Sequence, residues 1–158
     1  MPSKPVIDLP IRLFHWTLVM SVILAWASAE WGYMDRHMAI GQFILALLVF
    51  RILWGLFGSQ TARFATFLAS PMSVIRYLGG MLDRTRTMSV GHNPLGGWAI
   101  VAMLVALLVQ TGTGLFSTDD IFVEGPLAHL VSKSTQQWLA GIHEENFDIA
   151  ILGLVALH

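Results

Sequence analysis

The chain carries histidines at positions 15, 37, 92, 129, 143 and 158, and no cysteine. Without cysteine there are no disulfides, thiolate metal sites or iron–sulfur clusters, and no Cys-X-X-Cys-His attachment of haem. Imidazole is the strongest metal ligand left, so any haem must be held non-covalently, through histidine or methionine. The spacing is informative. His15 stands near the start of one apolar stretch, His37 at the start of the next, and His143 at the start of the last. His158 follows His143 by fifteen residues, which in a helix is a rise of about 22 Å and a rotation of about 60° beyond whole turns. His143 and His158 then share roughly one face at opposite membrane levels. His143 is at the depth of His37, and His158 at that of His15.

The elements that must position these side chains are set by composition. Of 158 residues, 55% are hydrophobic and 12% charged, and mean hydropathy is +0.66. A soluble domain has about twice that charged fraction, so lipid is the solvent for much of the chain. The expectation is an all-α protein of one domain over 1–158, a four-helix transmembrane bundle with short interfacial helices. Spans are expected at about 13–31, 38–57, 95–116 and 143–158. The last falls short of the roughly 20 residues a crossing needs, so the chain is expected to continue past His158. Ser70-Pro71 reads as a helix start with serine as cap, giving an interfacial helix over 71–82. A second surface helix is expected over 127–141.

Charge sets the orientation. Lys4, Arg12, Arg51, Arg63, Arg76, Arg84 and Arg86 fall on the N-terminal side, and only Arg36 and Lys133 opposite them. The far side holds Glu30, Asp35, Asp119, Asp120, Glu124, Glu144, Glu145 and Asp148. Positive charge faces the cytoplasm, which puts the N-terminus inside and the acidic loop outside. Lys4, Arg12 and Ala27-Ser28-Ala29 also have the form of a cleaved secretory signal, but cleavage would discard His15 and the spans that follow suit a retained helix. No basic patch suits a nucleic acid.

Ionisable side chains in a span are costly unless paired or functional. Two depth-matched imidazole pairs on facing helices suit bis-histidine haem ligation, one ligand from each of two helices. Gly41, one turn after His37, leaves room for a flat macrocycle. Arg12, Arg36 and Arg51 are candidate partners for haem propionates. Zinc or copper fits less well, because neither pair has an obvious third or fourth ligand. His92 lies in Gly91-His92-Asn93-Pro94-Leu95-Gly96-Gly97-Trp98, where it suits a propionate, a quinone head group or a structural turn with close backbone packing. His129 reads as a surface residue.

Asp8-Leu9-Pro10-Ile11-Arg12-Leu13-Phe14-His15-Trp16, His37-Met38-Ala39-Ile40-Gly41, the 91–98 turn, Gly125-Pro126-Leu127-Ala128, His143 and Ala156-Leu157-His158 together resemble the bacterial cytochrome b561 family. That family includes the b-type cytochrome subunits of membrane nickel–iron hydrogenases. The resemblance implies a diheme cytochrome of the bacterial inner membrane, with two haem b held by His15 with His158 and by His37 with His143. It also implies exchange with the quinone pool and with a redox partner at the outer face, such as a hydrogenase-like protein; the acidic loop itself (Asp119, Asp120, Glu124, Glu144, Glu145) reads either as a docking surface for a basic c-type cytochrome or as a solvated loop. The rival readings are a superoxide oxidase passing electrons to quinone, a non-redox metal-binding membrane subunit, and a structural anchor for a larger complex.

Overall fold

The computed structural model describes residues 9–82, 94–119 and 121–157. His92, His158 and Asp120 lie outside them, as do Lys4, Arg84 and Arg86. The helices are α1 (Leu9–Glu30), α2 (Met34–Phe57), α3 (Phe64–Phe67), α4 (Pro71–Leu82), α5 (Pro94–Phe116), α6 (Lys133–Glu145) and α7 (Leu152–Leu157). A π-helical segment, Asn146–Ile151, joins α6 to α7 without a break, and a short 3-10 turn spans Ala128–Leu130.

Among the described residues three helices are long and apolar enough to cross a membrane: Leu9–Glu30, Met34–Phe57 and Leu95–Phe116. Each is apolar around its circumference, leaving Leu13, Met20 and Ile23 of α1 and Phe43, Val49 and Leu53 of α2 exposed. A helix hydrophobic on all sides belongs in a core or a bilayer, and these outer faces have no protein against them. The fourth helical run is different. Its first half, α6, is polar, and only the π segment and α7 are apolar.

The main packing runs α1 on α2, α2 on α5, and α5 on α6 and the π segment. Ser21, Ala25 and Ser28 form a small-residue stripe on α1 that is buried, so α2 can approach closely, as small side chains allow in membranes. Phe14, Leu18, Ile44, Leu48, Leu104, Leu107 and Ile151 make up the shared core.

The connections depart from the sequence reading in one place. A helix stands over Pro71–Leu82 as expected, and Ser70 Oγ accepts from the Ser73 amide at 3.3 Å. The surface helix expected over 127–141 instead begins at Lys133, capped by Ser132, whose Oγ accepts from the Thr135 amide. It then continues through the π segment into α7. Gly141 does not end it, because an added Cβ there would meet nothing within 4 Å and φ is not positive. Close backbone packing expected in the 91–98 stretch is seen at Gly97, where a Cβ would lie 2.8 Å from the Phe67 carbonyl oxygen. Trp98 Nε1 donates to the Ala69 carbonyl and ties the start of α5 to the same loop.

The α5–α6 connection is organised by one carboxylate. Asp119 Oδ1 accepts from the amides of Val123, Ile121 and Phe122 at 2.8, 2.9 and 2.9 Å, and Thr118 pairs with Glu124 across the turn. These bonds, from Val123 first, hold the Asp119 carboxyl below the usual range for an aspartate. Because its folded pKa is depressed, the turn is fully supported above the ordinary aspartate value and loses that support as pH falls through the lowered one. Asp119→Ala is expected to speed hydrogen exchange of the 121–123 amides at neutral pH and to leave the helices unchanged.

Candidate functional site

The site begins with the close approach of α1 to α2. His37, in the first turns of α2, places Nδ1 2.9 Å from the Ala25 carbonyl oxygen of α1. A carbonyl only accepts, so Nδ1 carries the hydrogen and Nε2 keeps its lone pair. The same carbonyl accepts from Ser28 Oγ at 2.8 Å.

Across the site, α5 does the same for His143 of α6. His143 Nδ1 donates to the Gln110 carbonyl at 2.8 Å, with Thr113 Oγ1 at 3.3 Å. Thr113 Oγ1 also lies within reach of the Val109 and Gln110 carbonyls, at 2.7 and 3.1 Å. The imidazole lies against Gly114, where an added Cβ would come within 2.9 Å of Cε1. Any larger residue at 114 would displace the ring. One turn further along, Asn146 Nδ2 donates to the Ala106 carbonyl at 3.0 Å and to Gln110 Oε1 at 2.7 Å.

The two imidazoles approach one another edge to face, with ring centroids 6.0 Å apart and planes at 86°. His37 and His143 would be the residues to hold a metal centre, each through a bond of about 2.0 Å, and their separation is of the order such a centre needs. Both rings are in the tautomer that leaves Nε2 available, each fixed by a backbone carbonyl, as metal-binding histidines commonly are. They line a cavity of about 560 Å³ between α1, α2, α5 and the fourth helix, with Val22, Trp26, Gly41, Gly114, Phe147 and Ile151 among its walls. That volume is within the roughly 300–1,000 Å³ of cofactor pockets. An added Cβ at Gly41 would meet nothing within 4 Å. Among the described residues no three His, Asp or Glu side chains gather as a metal site. Ligand spacing, tautomers, open glycine face and apolar walls all fit a haem.

The remaining candidates are placed as follows. His15 is exposed on α1. It precedes Val22 by seven residues, which is within about 20° of the same helix face, so it continues the stripe of Val22, Trp26 and Ala29 that lines the cavity. Arg12, also exposed, is three residues before it. Arg36 is exposed with its guanidinium 4.9 Å from the Tyr33 ring centre. Arg51 is only 5% exposed. Its Nη1 donates to the Ala62 carbonyl at 3.3 Å, and the guanidinium stacks 4.7 Å from the Phe64 ring centre. Its visible work is thus to hold the loop after α2. His129 is exposed on the 3-10 turn.

Comparison with known proteins follows the same geometry. The description of prokaryotic cytochrome b561 matches residues 6–158. The chain belongs to the prokaryotic cytochrome b561 family. It is similar to a probable Ni/Fe-hydrogenase B-type cytochrome subunit of Bradyrhizobium diazoefficiens, 26% identical over 146 residues, covering 73% of this chain and 59% of that protein. The chain therefore spans less than two thirds of that relative's length. No solved structure matches it. The family match and the three long apolar helices together make the chain a membrane protein of that family.

Gln110, Thr113, Gly114 and Asn146 were not singled out from the sequence. The available signal was the run Gln110-Thr111-Gly112-Thr113-Gly114, small and polar inside an otherwise Leu/Val-rich span. Such a run has to serve either helix packing or a buried group.

Proposed function

We propose that the chain is a diheme b-type cytochrome of the bacterial inner membrane, carrying electrons between a redox partner at its acidic outer face and the quinone pool. The observation that carries this reading is the close pair His37 and His143, 6.0 Å apart with both Nδ1 atoms engaged by backbone carbonyls. When bound, haem supplies a one-electron couple that no side chain here possesses.

The chain's own residues do the rest. Ala25 and Gln110 carbonyls orient the two imidazoles, Gly41 and Gly114 leave the space between them, and Trp26, Phe147 and Ile151 keep water away. For the second haem, the support is the continuation of the cavity stripe of α1 to His15. His158 is seven residues beyond Ile151 in sequence, the same interval that separates His15 from Val22. Arg12 is the nearest cationic candidate for a propionate at that level, and Arg36 at the outer one. His92 remains the candidate contact for a propionate or quinone head group.

Orientation with the N-terminus in the cytoplasm is supported by the charge asymmetry. Glu30, Asp35, Asp119, Glu124, Glu144, Glu145 and Asp148 are all exposed, and a partner with a basic surface, hydrogenase-like or a c-type cytochrome, suits that end. Haem quantitation on purified protein tests the reading. Two b-type haems per chain are expected, both reducible by a quinol analogue. One haem or none would overturn the diheme assignment. Rapid haem reduction by superoxide with no protein partner present would move the assignment to a superoxide oxidase.

A further inference from the structure

Two amide side chains, Gln110 and Asn146, meet in the interior between α5 and the fourth helix. Amides are costly in a hydrocarbon setting unless their hydrogen bonds are satisfied, and an apolar pair would pack there without that cost. Their arrangement indicates what they are for. Asn146 is the first residue of the π segment, and π turns occur mostly as local insertions at functional sites. Its Nδ2 grips α5 at two points, the Ala106 carbonyl at 3.0 Å and Gln110 Oε1 at 2.7 Å. Gln110 is the residue whose carbonyl receives the His143 Nδ1 hydrogen at 2.8 Å. Asn146 lies three residues after His143, so one helical turn carries both the ring and the clamp.

We propose that Asn146 is a positioning residue: by fastening Gln110 to the fourth helix it fixes the carbonyl that orients His143, and so sets the potential of the one haem His143 holds. The physical link is the basicity of the imidazole. A well-aligned Nδ1–H to carbonyl bond pushes electron density toward Nε2, which favours oxidised iron. Loosening the carbonyl weakens that bond, favours reduced iron and raises the potential. The proposal rests on the diheme reading but adds a residue that the reading does not require.

The test is an equilibrium redox titration of purified, haem-loaded protein. Asn146→Leu keeps the volume and removes the donor. Gln110→Leu keeps the backbone carbonyl and removes the side-chain acceptor. Each is expected to raise the potential of one haem, on the order of tenfold in its oxidised-to-reduced equilibrium, or about 59 mV for one electron. The other haem should not move. The double variant should shift no further than either single, because both changes break one clamp. The exchanged pair Gln110→Asn with Asn146→Gln, which keeps donor and acceptor, should return the potential toward the starting value. If Asn146→Leu fails to retain its haem, Gln110→Leu alone decides by the same shift.

Unchanged potentials in haem-loaded variants, or equal shifts in both haems, would overturn the clamp. Wild-type protein lacking two haems would instead sink the functional reading, so the two failures are distinguishable.

Discussion

Alanine at His37 or at His143 is expected to lower the haem content from two per chain to one, and the double substitution to lower it no further. Haem held non-covalently between two imidazoles loses an axial bond with either change, and both residues serve the same site. The fold should survive, for a reason visible in the hydrogen bonding. Removing the His37 imidazole takes one donor from the Ala25 carbonyl, but Ser28 Oγ still donates to it at 2.8 Å. The Gln110 carbonyl, without the His143 imidazole, keeps Thr113 Oγ1 within reach at 3.1 Å, to which that hydroxyl can turn from Val109 at 2.7 Å. No buried acceptor is orphaned, so the stability cost is that of one lost hydrogen bond, about 1 kcal/mol, against complete loss of one cofactor. Helical circular dichroism should therefore be retained while the haem-to-protein ratio halves. By the same logic His15→Ala or His158→Ala should remove the other haem. A double His37→Ala, His143→Ala protein with no haem at all would show that the two histidines serve different sites.

The closeness of the His37 and His143 rings was legible because depth along a helix follows directly from residue count. The tilt of each ring was not legible. It depends on which carbonyl of a neighbouring helix lies within 3 Å, and Ala25 and Gln110 reach that position only through the packing of α1 on α2 and α5 on α6. The open face at Gly41 could be read from its place one turn after His37. Gly114 could not, since it lies on a third helix and matters only where that helix meets His143.

Counting at 3.6 residues per turn also missed the π segment. One extra residue in the turn withdraws about 100° of rotation from that expected along this helical run. Arg51 shows a different limit. Its depth suggested a propionate partner, whereas the structure shows it holding Ala62 and stacked on Phe64. Its charge could be read from the sequence, but the loop that folds back over it could not.

Two of the glycines that line the cavity, Gly41 and Gly114, are expected to respond in opposite ways to substitution, and the contrast separates space for a cofactor from space for a ligand. Gly41→Leu adds a side chain where nothing lies within 4 Å, and it replaces a poor helix former by a good one, worth roughly 0.5–1 kcal/mol. The protein without haem should be as stable as before or slightly more so. Yet the new side chain projects from a wall of the cavity between His37 and His143, so the outer haem should be lost outright. Gly114→Ala adds a single methyl, but one placed 2.9 Å from His143 Cε1. The ring must give way, and a displaced ligand should cost haem affinity on the order of 10–100-fold. It should also disturb the absorption spectrum of whatever haem remains. Gly112→Ala is the control: it meets nothing within 4 Å and does not line the cavity, so haem content and spectrum should match wild type. Haem titration of the three variants, read with thermal unfolding of each haem-free form, measures both effects together. Full outer-haem occupancy in Gly41→Leu would mean that the cofactor does not occupy this cavity. An unperturbed spectrum in Gly114→Ala would mean that the His143 ring does not lie against α5 when it serves as a ligand.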